Sequence, residues 1–103
     1  MAYAFTQDLP STKDMYLAIS REVGDQPPKG MIMHLAFEIE SGMRIVDVWE
    51  TEADFDRFAE RLRPILDKVL QAAGVSREQM GEPDTQDMTP VEIFVPSIGK
   101  RLF

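Results

Sequence analysis

Hydrophobic positions along the chain change their period several times, and each change marks an element. Tyr3-Ala4-Phe5-Thr6-Gln7 is aromatic, β-branched and alternating, which predicts a strand ended by Pro10. Ser11-Thr12-Lys13-Asp14 reads as a capping box with Ser11 as the cap. Met15, Ile19 and Val23 then recur every four residues, with Tyr16 and Ala18 beside them, predicting a helix over 12–23 that Gly24 closes. Pro27-Pro28 stiffens the connector that follows. Residues 31–40 and 42–50 read as two strands joined at Ser41-Gly42, a two-residue hairpin signal. That turn would set His34 opposite Trp49, Leu35 opposite Val48 and Ala36 opposite Asp47. Side-chain alternation would then place Met33, Leu35, Phe37, Val46 and Val48 on one face. Ile32, His34, Ala36, Ile45, Asp47 and Trp49 would share the other. Both faces are largely apolar, so both call for a cover, and helices on one side leave the other for a second copy of the chain.

Thr51-Glu52-Ala53-Asp54 is a second capping box. Phe55, Phe58, Leu62, Ile65 and Val69 follow at spacings of three and four, predicting an amphipathic helix over 52–73 that Pro64 should kink or break. Residues 74–90 are polar and acidic and read as a long loop with a turn at 76–80. Val91–Val95 reads as the last strand, before Pro96. The expected domain is therefore 1–96, with 97–103 as a C-terminal tail. The order β-α-β-β-α-β is that of the ferredoxin-like α+β fold, an antiparallel sheet with its helices on one face.

Composition narrows the chemistry. The chain has 103 residues, 11 of them basic and 18 acidic, for a net charge of −7. Nucleic acid and anionic membrane both demand clustered Lys and Arg, so neither is an expected partner. No cysteine is present, which removes disulfides and thiolate chemistry, and a single histidine cannot build a multi-histidine metal site. No apolar run is long enough to span a bilayer, and the N-terminus has no leader-like pattern, so a cytoplasmic location is expected. No phosphate loop, nucleophile elbow or dinucleotide fingerprint occurs, and Glu82, Asp84 and Asp87 lack the spacing of a calcium loop.

Two stretches carry a resemblance. Residues 30–36 and 42–51, the second ending in Trp49 and a helix cap, lead into the Phe55/Phe58 helix. Together they resemble the dimeric α/β-barrel proteins, and more closely the small antibiotic-biosynthesis-monooxygenase-like members. The resemblance extends over about residues 1–96. It implies a homodimer whose sheets face each other as a barrel, with a cleft between sheet and helices in each subunit. Implied activities are cofactor-independent oxygenation or cyclisation of an aromatic or polyketide-like small molecule, with no resident cofactor or metal. Haem-degrading members pair an Asn with the strand Trp and carry an iron-ligating His on the next helix. This chain has no Asn and no His in 52–73, and departs from that pattern. Gln7 offers an amide on the first strand in its place.

The candidate catalytic residues are His34 and Asp47, since a carboxylate beside an imidazole fixes its tautomer and orients a general base. The alternative is a structural bond, because a buried carboxylate needs a partner in any case. Trp49, Tyr3, Phe5 and Tyr16 are the candidate substrate-binding residues. Trp49 and Phe5 offer flat apolar surfaces, and Tyr3 and Tyr16 offer hydroxyls. Each serves equally well as core. A non-catalytic dimeric module binding a ligand or a protein is the alternative for the whole chain. A haem-binding protein is a third reading, with His34 as the available imidazole ligand.

Overall fold

The computed structural model describes residues 2–96 and 100–102. Strand β1 (Tyr3–Leu9) leads to helix α1 (Lys13–Val23), then the hairpin β2 (Met31–Ile39) and β3 (Gly42–Trp49). Helix α2 (Glu52–Ala73), the short α3 (Arg77–Met80) and strand β4 (Asp84–Met88) follow. A separate pair, β5 (Ile93–Val95) and β6 (Lys100–Leu102), ends the described chain. The main sheet has the order β2-β3-β1-β4, and every pairing in it is antiparallel. This is an α+β fold with a four-stranded antiparallel sheet and helices.

Local chemistry explains most boundaries. Thr12, rather than Ser11, caps α1, its hydroxyl accepting from the Met15 amide at 3.1 Å. Ser11 is buried and its hydroxyl donates to the Thr12 carbonyl. Thr51 caps α2 as its spacing predicts, accepting from the Asp54 amide at 3.1 Å and donating to the Asp54 carboxylate at 2.9 Å. Pro64 lies inside α2 without ending it. Proline removes a single N–H there, and the apolar face on either side still packs on the sheet. Gly74 ends the helix in the left-handed conformation.

Two strand assignments differ from the pattern-based expectation. The hairpin turns at Glu40-Ser41, with Ile39 opposite Gly42, so the register is shifted by two residues. His34 pairs with Asp47, Leu35 with Val46 and Ala36 with Ile45. A shift of two keeps every side chain on its expected face, whereas a shift of one would have reversed them. A bulge between Met31 and Met33 then returns Met31 to a place opposite Trp49. The sheet's last strand is Asp84–Met88, from the stretch expected to be loop, and the apolar 93–95 run pairs instead with Lys100–Leu102. All five residues of β4 are exposed. An edge strand held by β1 through its backbone needs no apolar alternation, so its sequence carries no strand signal.

The core lies between sheet and helices. Phe5 stacks edge-on against Phe55 with ring centroids 4.8 Å apart, and Trp49 packs on both Phe55 and Phe58. Tyr16 of α1 bonds to His34, whose neighbour Asp47 bonds to Trp49, so α1 and α2 cover the same face. The opposite face is covered at Ala4 and Val48, which are 1 and 6 % exposed, and more open at its edges and beyond them. Its first row across the sheet is Met33, Val48, Ala4 and Met88, its second Leu35, Val46, Thr6 and Gln86, and its third Phe37, Arg44, Asp8 and Asp84. Met33, Leu35, Phe37 and Met88 are exposed there. Arg44 grips Asp8 through two hydrogen bonds of 2.7 and 2.9 Å.

Gly42 starts β3 at φ +148°, and a Cβ there would lie 2.2 Å from the Leu9 carbonyl oxygen. Backbone cannot step aside as a side-chain tip can. Gly42→Ala is therefore expected to cost about 2–4 kcal/mol. Gly74→Ala meets open space and bears only the left-handed penalty of about 1–2 kcal/mol. Urea denaturation of the two variants checks the ranking.

Candidate functional site

Four side chains from three elements form one hydrogen-bonded line on the helix-covered face. Strand alternation puts Asp47 and Trp49 on that face of β3, and the hairpin register sets His34 beside Asp47. The fourth member, Tyr16, sits at the start of the apolar stripe of α1 and reaches down to β2. The Tyr16 hydroxyl is 2.5 Å from Nε2 of His34. His34 Nδ1 lies 2.6 Å from Oδ1 of Asp47. The indole N–H of Trp49 donates to Oδ2 of Asp47 at 3.1 Å.

Donor and acceptor rules assign the protons. A carboxylate only accepts, so Nδ1 of His34 carries a hydrogen. In the neutral ring that leaves Nε2 as an acceptor, and the Tyr16 hydroxyl donates to it. Both Asp47 oxygens are thereby occupied, which is what a carboxylate side chain with 7 % exposure requires. Among the described residues no buried side-chain nitrogen or oxygen lacks a partner.

Accessibility divides the line. The His34 side chain keeps 32 % of its surface and Tyr16 is half-buried, so solvent reaches the Tyr16–His34 end. Trp49 is 0 % exposed and seals the other end. The two rings at the open end lie nearly parallel, with 10° between planes and 6.2 Å between centroids. Burial pushes the Tyr16 phenol above its ordinary 10.0, and the Asp47 charge adds to the effect. Tyr16 therefore remains a hydrogen donor across the neutral range.

The six expected site residues fall into two groups. His34, Asp47, Trp49 and Tyr16 come together as described. Tyr3 and Phe5 belong to the aromatic cluster on Phe55, with Phe5 at 1 % exposure and Tyr3 partly exposed at its margin. Burial lifts the Tyr3 phenol, and Asp87, Glu52 and Asp56 push in the same direction. The indole-to-carboxylate bond was not foreseen from the chain, although the Asp-x-Trp spacing on one strand face is its signal. The link between Tyr16 and His34 had no such signal, since it depends on how α1 lies over β2. Gln7 lies apart from the line, donating to the Thr85 hydroxyl at 3.0 Å.

Two depressions in the surface lie away from this line. A groove of about 490 Å³ runs between α1 and α2 past Met15, Ala18, Val69 and Ala72. A smaller one on the open face is lined by Thr6, Asp8, Arg44, Asp84 and Gln86. Among the described residues no cluster of three metal-capable side chains occurs, and no helix is long and apolar enough to cross a membrane. No model of a known protein family matches the chain, and no curated protein matches it.

Two outcomes test this arrangement. Asp47→Asn keeps the shape but replaces one acceptor by a donor. Its amide oxygen is expected to keep Trp49 while its NH₂ donates to His34, moving the imidazole hydrogen from Nδ1 to Nε2. Nitrogen-15 shifts of the single histidine report the tautomer directly. The second outcome concerns alkali. The native state holds both phenolic protons above pH 10.0, where the unfolded chain has begun to lose them. Stability is thus fully present below that pH and declines as pH rises beyond it. Phenolate absorbance of native and denatured protein should show the displaced midpoint, and Tyr16→Phe should soften the alkaline loss.

Proposed function

We propose that this chain forms a homodimeric ferredoxin-like α/β barrel whose Tyr16–His34–Asp47 line performs proton transfer on an enolisable aromatic or polyketide-like molecule. The reaction class is that of a cofactor-independent monooxygenase or cyclase. The observation that carries the reading is the ordered line itself: an exposed hydroxyl–imidazole end, oriented by a nearly buried carboxylate. Asp47 holds the ring with Nε2 free of hydrogen and stabilises the imidazolium that forms when Nε2 gains one. A substrate proton is taken up at Nε2 directly or through the Tyr16 hydroxyl. Loss of that proton beside a carbonyl leaves an enolate. Its carbon can attack a second carbonyl in the same molecule, with the proton returned to the new alkoxide, which closes a ring. Alternatively it adds dioxygen, and the hydroperoxide then loses water to leave a carbonyl.

The element order and the strand order β2-β3-β1-β4 support the ferredoxin-like reading, as does the placing of both helices on one face. The dimer reading rests on the open face, where Met33, Leu35 and Phe37 stand 41, 50 and 40 % exposed in successive rows. Facing a second copy would remove these rows from water. A second reading, a non-catalytic dimeric module, draws on one observation. The Tyr16 hydroxyl already fills the Nε2 position, so the line is satisfied without a substrate.

Deuterium exchange at the α-carbon of aryl ketones and aryl 1,3-diketones, followed by NMR, separates the readings. The acid–base site predicts accelerated exchange that falls by about 10²–10⁴-fold in His34→Gln. Exchange no faster than in buffer for the whole panel favours the binding module. Light scattering should give twice the 11.7 kDa chain mass, with Leu35→Glu shifting the protein to monomer. A native monomer would sink the barrel.

A further inference from the structure

We infer that Tyr16 is a redox-active tyrosine, oxidised by one electron while its proton passes to His34. A phenol that loses an electron becomes a strong acid. Oxidation is therefore easy only where an acceptor for the proton is already in place. Tyr16 has that acceptor: its oxygen is 2.5 Å from Nε2 of His34, on the nitrogen that Asp47 leaves without hydrogen. The acceptor is in turn poised to become a cation, since Nδ1 lies 2.6 Å from a carboxylate that is nearly buried. The electron leaves and the proton stays, so the pair gains one positive charge, which rests on the imidazolium against the Asp47 carboxylate.

Placement selects Tyr16 among the oxidisable rings. It is half-buried and lies at the solvent-reached end, so a small oxidant can approach it. Trp49 has no exposed surface, and its N–H is tied to the other Asp47 oxygen. Tyr3 stands in the field of Asp87, Glu52 and Asp56, and its neighbours are the rings of Phe5 and Phe55.

The fitting co-reactant is an organic peroxyl radical, a diffusible one-electron oxidant. The Tyr16 O–H bond breaks, its electron reduces the peroxyl radical to the peroxyl anion, and its proton binds Nε2. The products are a neutral phenoxyl radical, an imidazolium against Asp47, and a peroxyl anion that takes a proton from water to become the hydroperoxide. The inference uses the side chains of the acid–base reading but needs no enolisable substrate. Radical formation without carbon exchange, or the reverse, tells the failure of one from the failure of the other.

The test is flash photolysis of the full chain with ruthenium tris-bipyridine as photo-oxidant and persulfate as electron acceptor. The native protein is expected to give the phenoxyl optical band and electron-spin signal, formed more slowly in D₂O than in H₂O. Tyr16→Phe should abolish the fast component. His34→Gln, with Tyr16 retained, should slow it by about 10²-fold or more, the usual worth of a positioned proton acceptor. The isotope comparison uses native protein, so it stands even if a variant misfolds. Equal rates in the two solvents, or an undiminished fast signal in folded Tyr16→Phe, would overturn the proposal.

Discussion

The carboxylate of Asp47 sets conditions that much of this molecule answers to. It sits on a central strand with almost no contact with water, where an ionised oxygen without a donor is costly. Its two oxygens take hydrogens from two different structural units. Trp49 supplies one from two residues along the same strand, and His34 supplies the other from the neighbouring strand. The first bond turns the largest ring of the core; the second ties the edge strand β2 to the centre of the sheet. Tyr16 extends the line to α1, so helix, edge strand and core are joined through one acceptor. Removal of His34 or Trp49 leaves a buried Asp47 oxygen short of a bond, a heavier loss than the net worth of the bond itself.

The same line that stabilises the fold has the form of a reactive device. Satisfaction at the Asp47 end and exposure at the Tyr16 end are opposite properties, held at the two ends of a chain of hydrogen bonds. The buried end cannot relax, so the open end keeps its orientation. In the proposed proton transfer, the imidazolium would arise next to a fixed negative charge, without rearrangement of the surroundings. The proposed electron loss from the phenol would draw on the same feature. The two halves of the molecule therefore do different things. The helix-covered face carries the polar line within an aromatic core, while the open face presents apolar rows that end in the Asp8–Arg44 pair.

Much of this was legible along the chain, and the reasons differ by element. The helices α1 and α2 declare themselves by spacings of three and four and by Thr and Gly at their ends, because capping and amphipathicity are local. The assignment of His34, Asp47 and Trp49 to one face also follows from alternation alone. The pairing register was two residues off, since Gly42 looks like a turn residue. It is instead the first residue of β3, glycine because the Leu9 carbonyl leaves no room for a Cβ. Strand β4 left no trace, as Asp84-Thr85-Gln86-Asp87 is polar on both faces and exposed throughout. Its place beside β1 is a matter of backbone hydrogen bonds, which any residue but proline can make.

By itself, then, the sequence determined β1, α1, the two hairpin strands and α2, the Thr51 cap, the two sheet faces and the charge that argues against polyanionic partners. All of these depend on residues within a few positions of one another. Tertiary structure alone decided that Tyr16 would meet His34 across 18 positions and that Asp84–Met88 would complete the sheet. It also decided that Trp49 would be sealed while His34 stayed open to solvent. These facts depend on how a helix lies across strands and on which strand becomes an edge. Such relations arise from packing over long sequence separations, where no local periodicity records the answer.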